Sequence, residues 1–92
     1  MNSNVLPLIK LKKIIVQKGL NKLIDEVGYA AWPKKYYVIL KNGKKVSFGD
    51  IRYEDYLIHK DPERRARFRM RHQNDKIDDF TKSGAWSWHL LW

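Results

Sequence analysis

The chain contains no cysteine. That single absence excludes disulfides, thiolate metal sites and thiol nucleophiles, and it favours a reducing compartment. Acidic residues are scarce as well, with 10 Asp and Glu against 19 Lys and Arg. No apolar run approaches the roughly 18 residues that a membrane span needs. The N-terminal apolar stretch is broken by Pro7, Lys10, Lys12 and Lys13, so no signal peptide is expected. A glycine-rich phosphate loop, a nucleophile elbow and a Walker pattern are all missing. The adjacent acids Glu54-Asp55 and Asp78-Asp79 cannot converge on one substrate atom from either a helix or a strand. His59, His72 and His89 lack the short spacing of metal ligands, so a structural role is expected for them and no metal or cofactor. These absences together argue against an enzyme.

What remains is a folding composition, with 43% hydrophobic and 13% aromatic residues in a chain of 92. A domain this short buries only about 60–65% of its unfolded surface, so its core is thin. The net charge of +9 favours an anionic partner: nucleic acid, lipid or an acidic protein surface. Positive charge is densest at residues 64–71 and absent from the Trp-rich end.

Residues 1–17 read ambiguously, because Leu8, Leu11 and Ile15 share a helical stripe while Ile14, Ile15 and Val16 are β-branched. The balance leans to helix, with Gly19 as a breaker. Leu20, Leu23, Ile24 and Val27 follow helical spacing, and Gly28 suits a helix stop. Trp32-Pro33 reads as an extended linker. Tyr36 to Leu40 and Lys44 to Phe48, joined by Asn42-Gly43, predict a β-hairpin with a two-residue type I′ turn. That loop pairs Ile39 with Val46 and Tyr37 with Phe48, placing these four on the core face. Asp61-Pro62-Glu63 predicts a helix start, with Asp61 as cap, and the helix runs to about His72. Ala85 to Trp92 predicts a short apolar helix that needs burial.

Five arginines, Arg64, Arg65, Arg67, Arg69 and Arg71, fall within residues 64–71. On a helix Arg64, Arg67 and Arg71 form one stripe, and Arg65 and Arg69 form a second. Guanidinium forks bind phosphate or carboxylate, so this helix, with Lys60 before it, is the main candidate site for an acidic surface or phosphate. The competing reading is a solvated face paired with acids of the same chain. Lys10, Lys12, Lys13 and Lys18 are candidate contacts of an N-terminal arm. An amphipathic membrane helix is disfavoured, since Lys12 interrupts its apolar stripe. Trp86, Trp88 and Trp92 either complete the core or anchor a protein interface.

Several segments also carry a resemblance. They are Tyr37-Val38-Ile39-Leu40-Lys41-Asn42-Gly43-Lys44, Val46-Ser47-Phe48-Gly49, Tyr53 with Asp55-Tyr56, Ile58-His59-Lys60-Asp61-Pro62-Glu63-Arg64-Arg65, Arg71-His72, and Gly84 through the Leu90-Leu91-Trp92 ending. Residues 36–92 thereby resemble a family of small proteins of large nucleocytoplasmic DNA viruses. Asp78-Asp79-Phe80 departs from the acid-then-Trp pattern of that family. The resemblance implies no enzyme activity. It implies a virion protein, either a minor capsid component cementing capsid proteins or a basic protein contacting the packaged genome, and the capsid role is the first expectation. The expected architecture is α+β: a basic N-terminal helical arm over 1–35, then a compact domain over 36–92 with the hairpin, the Arg-rich helix and a Trp-rich C-terminal helix.

Overall fold

The computed structural model describes residues 4–92. Helix α1 spans Leu8–Gln17, and a 3-10 turn at Asn21–Leu23 leads into strand β1, Ile24–Tyr29. Strands β2 (Tyr36–Leu40) and β3 (Lys45–Phe48) form the hairpin. Helices α2 (Tyr56–His59), α3 (Pro62–His72) and α4 (Ser83–Trp86) follow, and α4 continues as a π turn through Ser87–Leu91. The strands make one antiparallel sheet in the order β1-β2-β3, so the molecule is a small α+β domain.

The hairpin exists, but its register differs by one residue from the predicted pairing. Tyr36 faces Phe48 and Val38 faces Val46. Within the loop only Gly43 has positive φ, at 89°, whereas a type I′ turn needs two such residues. The Leu40 amide donates to the Lys44 carbonyl at 2.8 Å, and the Gly43 amide donates to the Leu40 carbonyl at 2.8 Å. These bonds enclose three loop residues, a type I turn closed by glycine. A one-residue slip exchanges the faces of a strand. Tyr36, Val38 and Leu40 therefore point into the core in place of Tyr37 and Ile39, while Val46 and Phe48 point inward as expected.

A second correction concerns residues 20–28, expected as a helix. Ile24 to Tyr29 is instead a strand covering the free edge of β2. Its helical spacing has a structural origin. The register shifts between Ile24 and Glu26, so a bulge supplies one extra residue. Ile24 and Val27, three apart, both pack on the core as a result. Gly28 lies inside the strand and stops nothing.

The expected division at residue 35 also fails. Leu11 and Ile15 of α1 are buried in the same cluster as Tyr36, Val38, Phe48, Trp86, Leu90 and Leu91. The Leu6 amide donates to the Tyr36 hydroxyl at 2.7 Å, and the Leu8 amide donates to the Tyr29 hydroxyl at 3.0 Å. Burial pushes the Tyr36 phenol up to about 12. The described N-terminal residues thus belong to the domain, because the sheet's apolar face needs α1 to cover it. On that face the rings of Tyr36, Phe48 and Trp86 pack in sequence, with centroids 5.7 and 6.1 Å apart.

Gly49 closes β3 with φ of +78°, and a Cβ there would stand 3.0 Å from both Leu91 Cδ1 and Lys35 Cβ. Strain and crowding act together, so Gly49→Ala is expected to cost about 1–2 kcal/mol or more in urea denaturation. An unchanged midpoint would contradict this packing.

Candidate functional site

Helix α3 starts where the sequence predicts. Asp61 Oδ1 accepts from the Glu63 amide at 2.9 Å and the Arg64 amide at 3.4 Å, with Pro62 in the first turn. The helix buries no residue completely. It is held mainly by its inner flank. There Phe68 stacks on Trp92 with centroids 4.3 Å apart and planes 4° from parallel.

The five arginines divide by their surroundings. Arg65 and Arg69 turn inward. Arg65 Nε donates to the Trp92 main-chain oxygen at 2.6 Å, and Arg69 donates to the same atom through Nη2 at 3.0 Å. Their guanidinium groups also lie 4.7 Å from the rings of Tyr56 and Trp88. Lys18 joins them by donating to the His89 carbonyl. The last carbonyls of a helix lack partners and carry partial negative charge, so these cations satisfy the end of the Trp-rich helix. Burial, then the positive fields of Arg69 and Arg65, hold the Lys18 ammonium below the ordinary lysine value. Arg65, Arg69 and Lys18, expected to contact a partner, are therefore already engaged by the fold.

The outer stripe is different. Arg64 meets Glu54 at 3.6 Å, but the pair is substantially exposed and contributes little. Arg67 and Arg71 are exposed and form no ion pair among the described residues, although Glu63 and Asp75 lie one turn away. Lys60, exposed at the α2–α3 junction, also lacks an ion pair there. It lines a groove of about 410 Å³ with Lys10 and Lys13 of α1, over a floor of Leu6, Ile14, Tyr56 and Leu57. No carboxylate borders that groove. Lys12 is exposed on α1 and borders a separate recess beside Asp25 and Glu26. The fold thus brings Lys10, Lys13 and Lys60, distant in sequence, to one basic surface.

The tryptophans also divide. Trp86 is fully buried and donates its indole N–H to the Phe80 carbonyl at 2.8 Å, so it is core and unavailable as a partner anchor. Trp88 and Trp92 are half-buried against α3. His59 accepts from the Asp61 amide through Nδ1 at 2.9 Å, which leaves the proton on Nε2. His72 pairs with Asp75 at 2.6 Å, and His89 packs on Phe80. Among the described residues no three His, Asp or Glu gather as a metal site.

One buried ion pair was not foreseen. Lys35 Nζ lies 2.6 Å from Asp55 Oδ2, with both side chains almost wholly buried. Asp55 Oδ1 also accepts from the Leu57 amide at 3.0 Å, capping α2. Burial pushes the Asp55 carboxyl up, and the Lys35 ammonium beside it offsets part of that rise. The pair borders a cleft of about 260 Å³ walled by Tyr53, Phe68, Ser83, Ser87 and Leu91. A capping residue before Tyr56-Leu57-Ile58 was a readable signal for Asp55. Lys35 gave none, since lysine is rarely buried unless paired.

A family of unknown function, DUF5754, matches residues 31–72. That stretch contains Lys35, the hairpin, Asp55 and α3 up to His72. No curated protein and no solved structure matches the chain.

Two stability outcomes follow from this geometry. Arg65→Gln or Arg69→Gln should cost about 1.5–3 kcal/mol in urea denaturation, since each removes a charged hydrogen bond. Arg67→Gln and Arg71→Gln should stay within about 0.5 kcal/mol. Equal costs on both stripes would contradict the division. Lys35→Met should cost about 3–5 kcal/mol by stranding a buried carboxylate. Adding Asp55→Asn should recover most of that loss, because asparagine still caps α2 without charge; a double variant no better than the single would refute the pairing argument.

Proposed function

We propose that the protein is a nucleic-acid-binding module that holds phosphates on its basic surface and catalyses no reaction. The observation that carries this reading is the groove lined by Lys10, Lys13 and Lys60 without a carboxylate, leading at Lys60 into α3, where Arg67 and Arg71 form no ion pair among the described residues. Cations held together without counter-charges repel one another, and a polyanion relieves that repulsion. Spaced phosphates match a row of separate cations, and arginine forks suit phosphate geometry. The resemblance to proteins of large DNA viruses supports the packaged genome as the nucleic acid and the virion as the location. No helix among the described residues is long and apolar enough to cross a membrane.

A minor capsid role, cementing capsid proteins, is the second reading. Ile9 and Val16 favour it, since they lie seven residues apart on α1 with 66% and 61% exposure. The N-terminal arm expected to make such contacts is instead packed against the sheet through Leu11 and Ile15, which counts against this reading.

Salt dependence tests the first reading. Affinity for an oligonucleotide should fall linearly on logarithmic axes as salt rises, and Arg67→Gln with Arg71→Gln should lower that slope by roughly 2. Absence of binding at low salt, or an unchanged slope in the double variant, would overturn it. Retention of the protein on purified, DNA-free shells would favour the capsid reading instead.

A further inference from the structure

We infer that the nucleic acid is single-stranded and that Trp32 and Tyr53 form a stacking platform for its bases; the inference rests on the nucleic-acid reading above. Trp32 is 67% exposed and Tyr53 66%, in two loops on either side of the hairpin. Arg52 stands between them, with its guanidinium carbon 5.4 Å from the Trp32 ring centre and 5.9 Å from that of Tyr53. Neither ring packs on another aromatic among the described residues, so each keeps exposed apolar surface. Such surface is costly in water and suits a flat ligand.

Hydrogen bonds connect the parts of the platform. Arg52 Nε and Nη2 donate to the two oxygens of Asp50 at 2.9 and 2.7 Å, which fixes the guanidinium plane. The Ile51 amide donates to the Pro33 carbonyl at 2.9 Å and ties the two loops together. The Tyr53 amide donates to the Asp50 carbonyl at 3.1 Å. The two loops that carry the rings are thus tied to one another, and Arg52 lies within reach of both ring faces.

Its neighbourhood points to a polyanion. Glu54, next to Tyr53, reaches Arg64 and so joins this loop to the outer stripe of α3 with Arg67 and Arg71. Lys34 is exposed beside Asp50 and borders the same cleft as Tyr53. The three carboxylates that border this cleft, Asp50, Glu54 and Asp55, are each paired with a cation, Arg52, Arg64 and Lys35. Aromatic faces beside a cationic track are what an unpaired strand needs, since its bases are free to stack while its phosphates follow the charge. A duplex keeps its bases inside and would use the cations alone.

The test compares a fluorescent oligothymidylate with a duplex of equal length, by anisotropy at low salt on the full chain. Trp32→Ala and Tyr53→Ala should each weaken single-strand binding about 5- to 150-fold. Duplex binding should change less than about twofold, and Trp32→Phe should retain most single-strand affinity, because the phosphate contacts and an aromatic face survive. Both rings are exposed, so the variants should keep the wild-type melting temperature. If the wild type binds but the alanine variants lose nothing, or lose equally on both ligands, the platform is refuted and the nucleic-acid reading stands. A wild type that binds neither ligand overturns both. Binding of a proline-rich or acidic peptide that depends on Trp32, with no such dependence for oligothymidylate, would also overturn the inference.

Discussion

The placement of α3 depends on one contact, the clamp on Trp92. The helix buries none of its own residues completely, so it has no apolar face of the usual kind to fix it. Instead Phe68 stacks on Trp92, while Arg65 and Arg69 donate to that residue's main-chain oxygen. An aromatic stack contributes about 0.5–1.5 kcal/mol beyond burial, and a charged hydrogen bond about 1.5–3 kcal/mol, so the contact is substantial for a small domain. Its direction matters equally. With residues 65, 68 and 69 held against the domain, Arg67 and Arg71 lie exposed on the opposite flank of the helix. The Trp-rich ending is thus the seat of the arginine helix, and through Trp86, Leu90 and Leu91 it rests in turn on the sheet.

Much of this was legible where a local rule has one physical solution. Asp61-Pro62-Glu63 begins a helix because a cap, a fixed φ and a dipole-matched acid coincide. The hairpin was legible from its β-rich flanks, but its register was not. Asn42-Gly43 suits two turn types, and the choice depends on which residues the core accepts. Tyr36 wins over Tyr37 because its ring completes the stack with Phe48 and Trp86, a long-range fact. Residues 24–27 misled for a similar reason, since a bulged strand imitates helical spacing and no local propensity reveals the bulge.

The candidate site was legible as charge but not as geometry. Periodicity separated the arginine stripes correctly without showing which one the fold consumes. Lys18 looked like its neighbours Lys10 and Lys13, yet it ends on the His89 carbonyl, while the other two border the open groove. The Lys35–Asp55 pair was invisible, because burial of a lysine is decided by a partner twenty residues away. Internal pairing and free charge are therefore sorted by tertiary structure, and the surplus is left on the surface.

The proposed nucleic-acid contact divides α3 into a structural flank and a binding flank. Its most direct measurement is an NMR titration of the arginine side-chain Nε–H signals with an oligonucleotide. Arg67 and Arg71 should shift progressively while Arg65 and Arg69 stay in place, locked on Trp92. Movement of the Arg65 and Arg69 signals with the outer pair unmoved, or no movement of any arginine at saturating ligand, would contradict it.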